Sequence, residues 1–155
     1  MNTQIFASLV ALLSAIVLSA CASSARNKAP PMYDLVIKDN VEQRRFELML
    51  VSTDERSICF EVEKWPNKHG QVSGGSWRAI LISGEQKFSA PDTNFGFCPG
   101  GCGIIVVSPG ETLRGFIPYS EFGDPVQIAQ LQDRRLEYLI VPRICTLSER
   151  TSTRK

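Results

Sequence analysis

The chain has 155 residues, 43% of them hydrophobic, and a net charge of +1. That length suits one domain with a core of its own once any leader is set aside. The neutral balance excludes a strongly basic surface of the kind that binds nucleic acid or an anionic membrane, and a single histidine excludes a histidine-rich metal site.

In chain order the first element is a leader. Ile5 to Ala20 is uncharged and rich in Leu, Val, Ile and Ala. The run is shorter than the roughly 20 residues that a bilayer-spanning helix needs, so it reads as the core of a secretory signal. Leu18-Ser19-Ala20-Cys21 closes it. This tetrapeptide resembles the lipobox of bacterial lipoproteins. The resemblance covers residues 1–21 and implies a signal peptide over 1–20, cut before Cys21. It further implies diacylglycerol on the Cys21 sulfur and an acylated, palmitate-type amino group. Each buried CH₂ of such chains contributes about 0.8 kcal/mol, so the resemblance implies an envelope protein held on its membrane by lipid. Ala22 stands where inner-membrane retention uses Asp. By the same resemblance, the expected location is the outer membrane, facing the periplasm. Residues 21–32 would then be the lipidated tether, its stretch 22–31 small and polar and ending in Pro30-Pro31, flexible first and then stiff.

The folded domain is expected over 33–146, followed by a disordered polar tail over 147–155. Leu35–Lys38 is a short strand. In Arg45–Ser52, Phe46, Leu48 and Leu50 alternate with Glu47 and Met49, the period-two pattern of a strand with one face inward. Ile58, Phe60 and Val62 alternate with Cys59, Glu61 and Glu63 beyond the polar turn Asp54-Glu55-Arg56, so the two runs read as a hairpin. Arg78–Ser83 and Gln86–Ser89 read as strands joined by Gly84-Glu85. Gly103–Ser108, Thr112–Tyr119 and Leu136–Ile144 follow, with Pro109-Gly110 as a turn. One short helix is predicted over Val126–Asp133: Asp124 can accept its exposed first-turn amides, and Pro125 has a suitable φ and no N–H to waste.

Roughly six to eight short strands with regular turns point to an all-β, antiparallel immunoglobulin-like β-sandwich. A small β-barrel is the alternative. The stretch LQDRRLEY (131–138) faintly resembles the immunoglobulin corner, with Tyr138 one residue late for that pattern.

FCPGGCG (97–103) sets Cys98 and Cys102 around Pro99-Gly100-Gly101. In an oxidising envelope the even set Cys59, Cys98, Cys102 and Cys145 predicts disulfides. Cys98–Cys102 with Cys59–Cys145 is the favoured pairing, and spacing alone leaves the others open. Redox pairs usually have Cys-x-x-Cys at a helix N-terminus, whereas GIIVVS after Cys102 reads as a strand. A Cys₄ zinc site usually has two close pairs, and this chain has one. Both remain alternatives to the staple.

Catalytic signals are sparse. His69 lies in the polar segment KWPNKHGQVSGGSW (64–77), with Ser73 and Ser76 near it but no Gly-x-Ser-x-Gly elbow. No phosphate-cradling loop is present. No catalytic residue, metal or other cofactor is therefore expected. Segment 64–77 is the expected binding loop, since long loops in compact domains are often functional and Trp65 and Trp77 bracket it. Trp65, His69, Ser73 and Trp77 are its candidate contact residues. Phe95, Phe97, Tyr119 and Phe122 form a second aromatic set, expected in the core. The sequence thus reads as a lipid-anchored, non-enzymatic binding or structural module contacting an envelope protein or assembly machinery. The alternative is an inhibitor of an envelope hydrolase such as lysozyme. Ser73-Gly74-Gly75 is weakly similar to the Ser-Gly loop of membrane-bound lysozyme inhibitors, which are also lipoproteins and small barrels.

Overall fold

The computed structural model describes residues 32–92 and 102–152. The signal peptide, Cys21 and its tether to Pro31, Phe95, Phe97 and Cys98 lie outside those residues.

The described residues form one compact, mostly β unit. Among the described residues there are nine strands: β1 (Tyr33–Asn40), β2 (Arg45–Ser52), β3 (Ile58–Glu61), β4 (Ala79–Ser83), β5 (Gln86–Ser89), β6 (Ile104–Val107), β7 (Thr112–Pro118), β8 (Arg135–Tyr138) and β9 (Arg143–Ile144). They form three antiparallel sheets of three strands, ordered β1-β2-β7, β6-β3-β9 and β5-β4-β8. The helices are short: α1 (Gly75–Arg78), α2 (Pro125–Gln130) and α3 (Leu147–Ser152), with 3₁₀ turns at Val62–Lys64 and Tyr119–Glu121. No helix among the described residues is long and apolar enough to cross a membrane.

β2 follows its sequence pattern, with Phe46, Leu48, Leu50 and Ser52 buried and the intervening residues half-exposed. α2 begins as predicted, the Asp124 carboxylate accepting from the amides of Val126 (2.8 Å) and Gln127 (3.1 Å). One continuous core joins the inner faces. Phe46, Leu48 and Leu50 come from the first sheet, Ile58, Phe60 and Val107 from the second, and Leu81 and Leu136 from the third. The predicted Tyr119 and Phe122 are in it, against the Phe46 ring.

Four expectations are corrected. The strands do not close into a barrel; the three sheets are separate ladders with edges. The run Leu136–Ile144 is two strands, giving nine among the described residues, because residues 139–142 leave the ladder, and Pro142 among them has no N–H to donate. β2 and β3 are not a hairpin. Ile58, Cys59 and Phe60 are all buried, so both faces of β3 are covered, and it sits centrally between β6 and β9. Glu63 consequently leaves the strand and lies in a 3₁₀ turn. Lastly, residues 147–152 of the expected disordered tail are helical. Thr146 and Glu149 supply the side-chain half of a capping box: the Glu149 carboxylate accepts from the Thr146 amide and hydroxyl, each at 2.8 Å. Arg143 grips the same carboxylate and, with those bonds, holds its pKa down to about 2.

Cys59 and Cys145 are joined by a disulfide, Cα to Cα 5.0 Å, across 86 residues of chain. Closing a loop of that size removes unfolded-state entropy equivalent to about 4–5 kcal/mol. Cys102 is also disulfide-bonded.

Candidate functional site

The two tryptophans of segment 64–77 have opposite fates. Trp65 is 5% exposed. Its ring packs against Phe60 and Tyr138, and its indole N–H donates to the Arg114 carbonyl at 3.4 Å. Gly115 makes this approach feasible, since a Cβ there would lie 2.8 Å from the indole nitrogen. Trp65 is thus a core residue that also fastens the loop to β7.

Trp77 is 55% exposed. It stands on α1, a single turn secured at its start. The Asp92 carboxylate accepts from the Ser76 amide (3.0 Å) and hydroxyl (2.9 Å), and these bonds hold its pKa below the ordinary value. Gly75 is buried so closely against the chain after β5 that a Cβ would lie 2.3 Å from the Pro91 carbonyl oxygen. Gly74 enters α1 at φ +64°, the left-handed region that favours glycine, and the Trp77 indole folds back over it.

Arg78 lies beneath the Trp77 ring, its guanidinium carbon 4.2 Å from the ring centre. It is 5% exposed. Nε donates to the Ser73 carbonyl (3.1 Å) and Nη1 to the Leu139 carbonyl (2.9 Å). Among the described residues no carboxylate pairs with it. The Leu139 amide returns a bond to the Arg78 carbonyl at 2.8 Å, which locks α1 to the end of β8. Between them opens a groove of about 320 Å³ lined by Trp77, Arg78, Ile80, Glu137, Tyr138 and Leu139. Leu139 is itself 46% exposed. The Tyr138 hydroxyl is turned away to the Lys64 carbonyl (2.6 Å), its pKa raised by burial against the opposing pull of Arg78. That bond reaches across the fold, unlike the short upstream bond of an immunoglobulin corner.

The groove offers an indole face on a buried cation, an aliphatic rim and the Glu137 carboxylate. Its charges are held in place, Arg78 by the two carbonyls and Glu137 by Arg135 at 3.0 Å. Of the predicted contact residues only Trp77 lines it. Ser73 is half-buried and lends its carbonyl to Arg78. His69 is exposed at a separate turn, where the Asn67 side-chain oxygen accepts its amide (2.8 Å) and that of Gln71 (3.1 Å). Arg78 and Leu139 are the residues sequence reasoning missed. The available signal was a charged residue at the head of the apolar run AILIS, where burial demands a carbonyl cage or a carboxylate. Among the described residues no group of three or more His, Cys, Asp and Glu side chains gathers to hold a metal ion.

Comparison with protein-family models, with curated proteins and with solved structures finds no match.

Proposed function

We propose that the chain is a non-enzymatic binding module of the bacterial cell envelope, anchored by lipid on Cys21, which meets an envelope protein through the Trp77 groove. The observation that carries the contact surface is the exposed indole of Trp77 on a secured platform beside exposed Leu139. Large aromatic rings held in place supply contact area at little ordering cost. The anchor rests on Leu18-Ser19-Ala20-Cys21 behind the apolar run. The finer reading of the fold, an immunoglobulin-like sandwich, is supported by the core that the three sheets share. An experimental structure in which the sheets do not face one another would overturn it.

The test is cross-linking in intact cells followed by purification of the full chain and of Trp77→Ala. The native chain should bring down one envelope protein at a defined ratio, and Trp77→Ala should lose it while keeping its thermal transition. Equal recovery by both sinks the groove as the contact. In the same cells the mass of the mature chain should include the lipid on Cys21, and Cys21→Ser should release it from the outer-membrane fraction. A native chain that slows lysozyme in a turbidity assay, with Ser73→Asp abolishing the effect, would replace this reading with that of a hydrolase inhibitor.

A further inference from the structure

We infer that β1 is a homotypic pairing edge, through which two copies of the chain join the β1-β2-β7 sheets into one. The first sheet has two edges, and they are treated differently. The β7 edge is covered by the binding-loop segment: Trp65 takes the Arg114 carbonyl, and Gly70 sits so close that a Cβ would lie 2.4 Å from Pro118 Cδ and 2.9 Å from the Phe116 carbonyl oxygen. β1, eight residues long, pairs only with β2 among the described residues. Long uncovered edges invite another strand.

The direction of the free groups follows from the ladder. The Thr53 amide donates to the Met32 carbonyl, one step beyond the Tyr33↔Ser52 pair. Bonded and non-bonded pairs alternate in an antiparallel ladder. Asp34, Val36 and Lys38 therefore exchange bonds with β2, and Tyr33, Leu35 and Ile37 present their N–H and C=O groups to the open side. Both ends of the strand are tied down. The Tyr33 hydroxyl donates to the Ile140 carbonyl at 2.8 Å, and Asp39 pairs with Arg134 at 3.0 Å.

The side chains choose the occupant. On the outer face Asp34, Val36 and Lys38 follow one another at alternate positions, all exposed, with Val36 49% exposed. Among the described residues neither Asp34 nor Lys38 makes a close ion pair; Lys38 stands across the ladder from Glu47, which Arg45 holds at 3.1 Å. Set antiparallel to a second copy about a two-fold axis at Val36, Asp34 of each faces Lys38 of the other, and Val36 meets Val36 between them. In the same register Leu35 faces Ile37 on the inner side as a hydrogen-bonded pair, as the free backbone groups require. Val36 and the two charge pairs fall in non-hydrogen-bonded positions, where side chains come closest. A shift of two residues loses both charge pairs, and a shift of one turns the core-facing side outward. The edge is complementary to itself.

The experiment uses the full chain in its membrane. Under mild oxidation Val36→Cys should give a reducible dimer, because the two sulfurs meet on the axis, whereas Val41→Cys, 48% exposed in the adjoining turn, should stay monomeric. Lys38→Asp sets like charges opposite each other and should cut the dimer by about tenfold or more. Adding Asp34→Lys to it should restore the dimer. Sedimentation of the unmodified chain in detergent should show the dimer independently of any cysteine. A monomer there, cross-linking no better at Val36 than at Val41, or a Val36→Cys adduct with a different protein overturns the proposal. Indifference to both charge changes overturns the register.

Discussion

Trp65 and Trp77 bracket the same polar segment and differ in everything the fold does with them. Trp65 lies in the core under Gly115 with its N–H satisfied by β7, while Trp77 stands in solvent on a one-turn helix, backed by Arg78. The difference shows that a tryptophan at a loop boundary is assigned by what lies opposite it. A strand position without a side chain takes in the first. A buried cation caged by carbonyls supports the second from below and leaves its outer face free.

That contrast can be broken in stages. Trp65→Ala removes a buried ring and should lower stability by about 3–5 kcal/mol in urea denaturation. Gly115→Ala should cost about 1–3 kcal/mol by crowding the same ring, and a crystal structure should show the indole displaced. Gly74→Ala should cost about 1–2 kcal/mol, from left-handed backbone strain, and should tilt Trp77 off Arg78 without disturbing Trp65. Trp77→Ala should change stability by no more than about 0.5 kcal/mol while abolishing capture of the partner. If Trp77→Ala destabilises as much as Trp65→Ala, the two ends are not distinct. The smallest effect is an acid one. The Asp92 pKa is depressed, chiefly by the Ser76 amide. Its hold on α1 is therefore complete above the ordinary value of 3.8 and is lost as pH falls through the lower folded value. Below that value, acrylamide quenching of Trp77 should rise in a Trp65→Phe background. In a Trp77→Phe background Trp65 should stay protected over the same range.

Local signals were legible where a residue's role is decided by near neighbours. The alternation of Phe46, Leu48 and Leu50, the Asp124-Pro125 helix start and the β4–β5 turn at Gly84-Glu85 all read directly from spacing. The Cys59–Cys145 bond was legible as half of a favoured pairing, since redox chemistry narrows the choices. The Thr146-x-x-Glu149 cap is equally local, but the polar residues around it give no helical apolar period to mark the helix it starts. Partners beyond the β4–β5 turn were not legible. β3 pairs with β6 and β9, both distant in sequence, and no local pattern names a distant strand. The site failed for the same reason. Arg78 and Leu139 become neighbours only when β8 aligns with β4, so a groove lined by both has no signature in either segment.

The Cys59–Cys145 bond also sets how the domain answers a pull. Force applied at Met32 and at the end of α3 enters the ladder through β1 and leaves through the segment after Cys145, and between the two cysteines the covalent link carries the load. Stretching therefore unzips β1 and β2 and then stops, after a gain on the order of 100 Å at full chain extension. The stretch between Cys59 and Cys145 stays out of the force path until the sulfur bond is reduced. The domain is a spring with a fixed stop, and a reductant removes the stop.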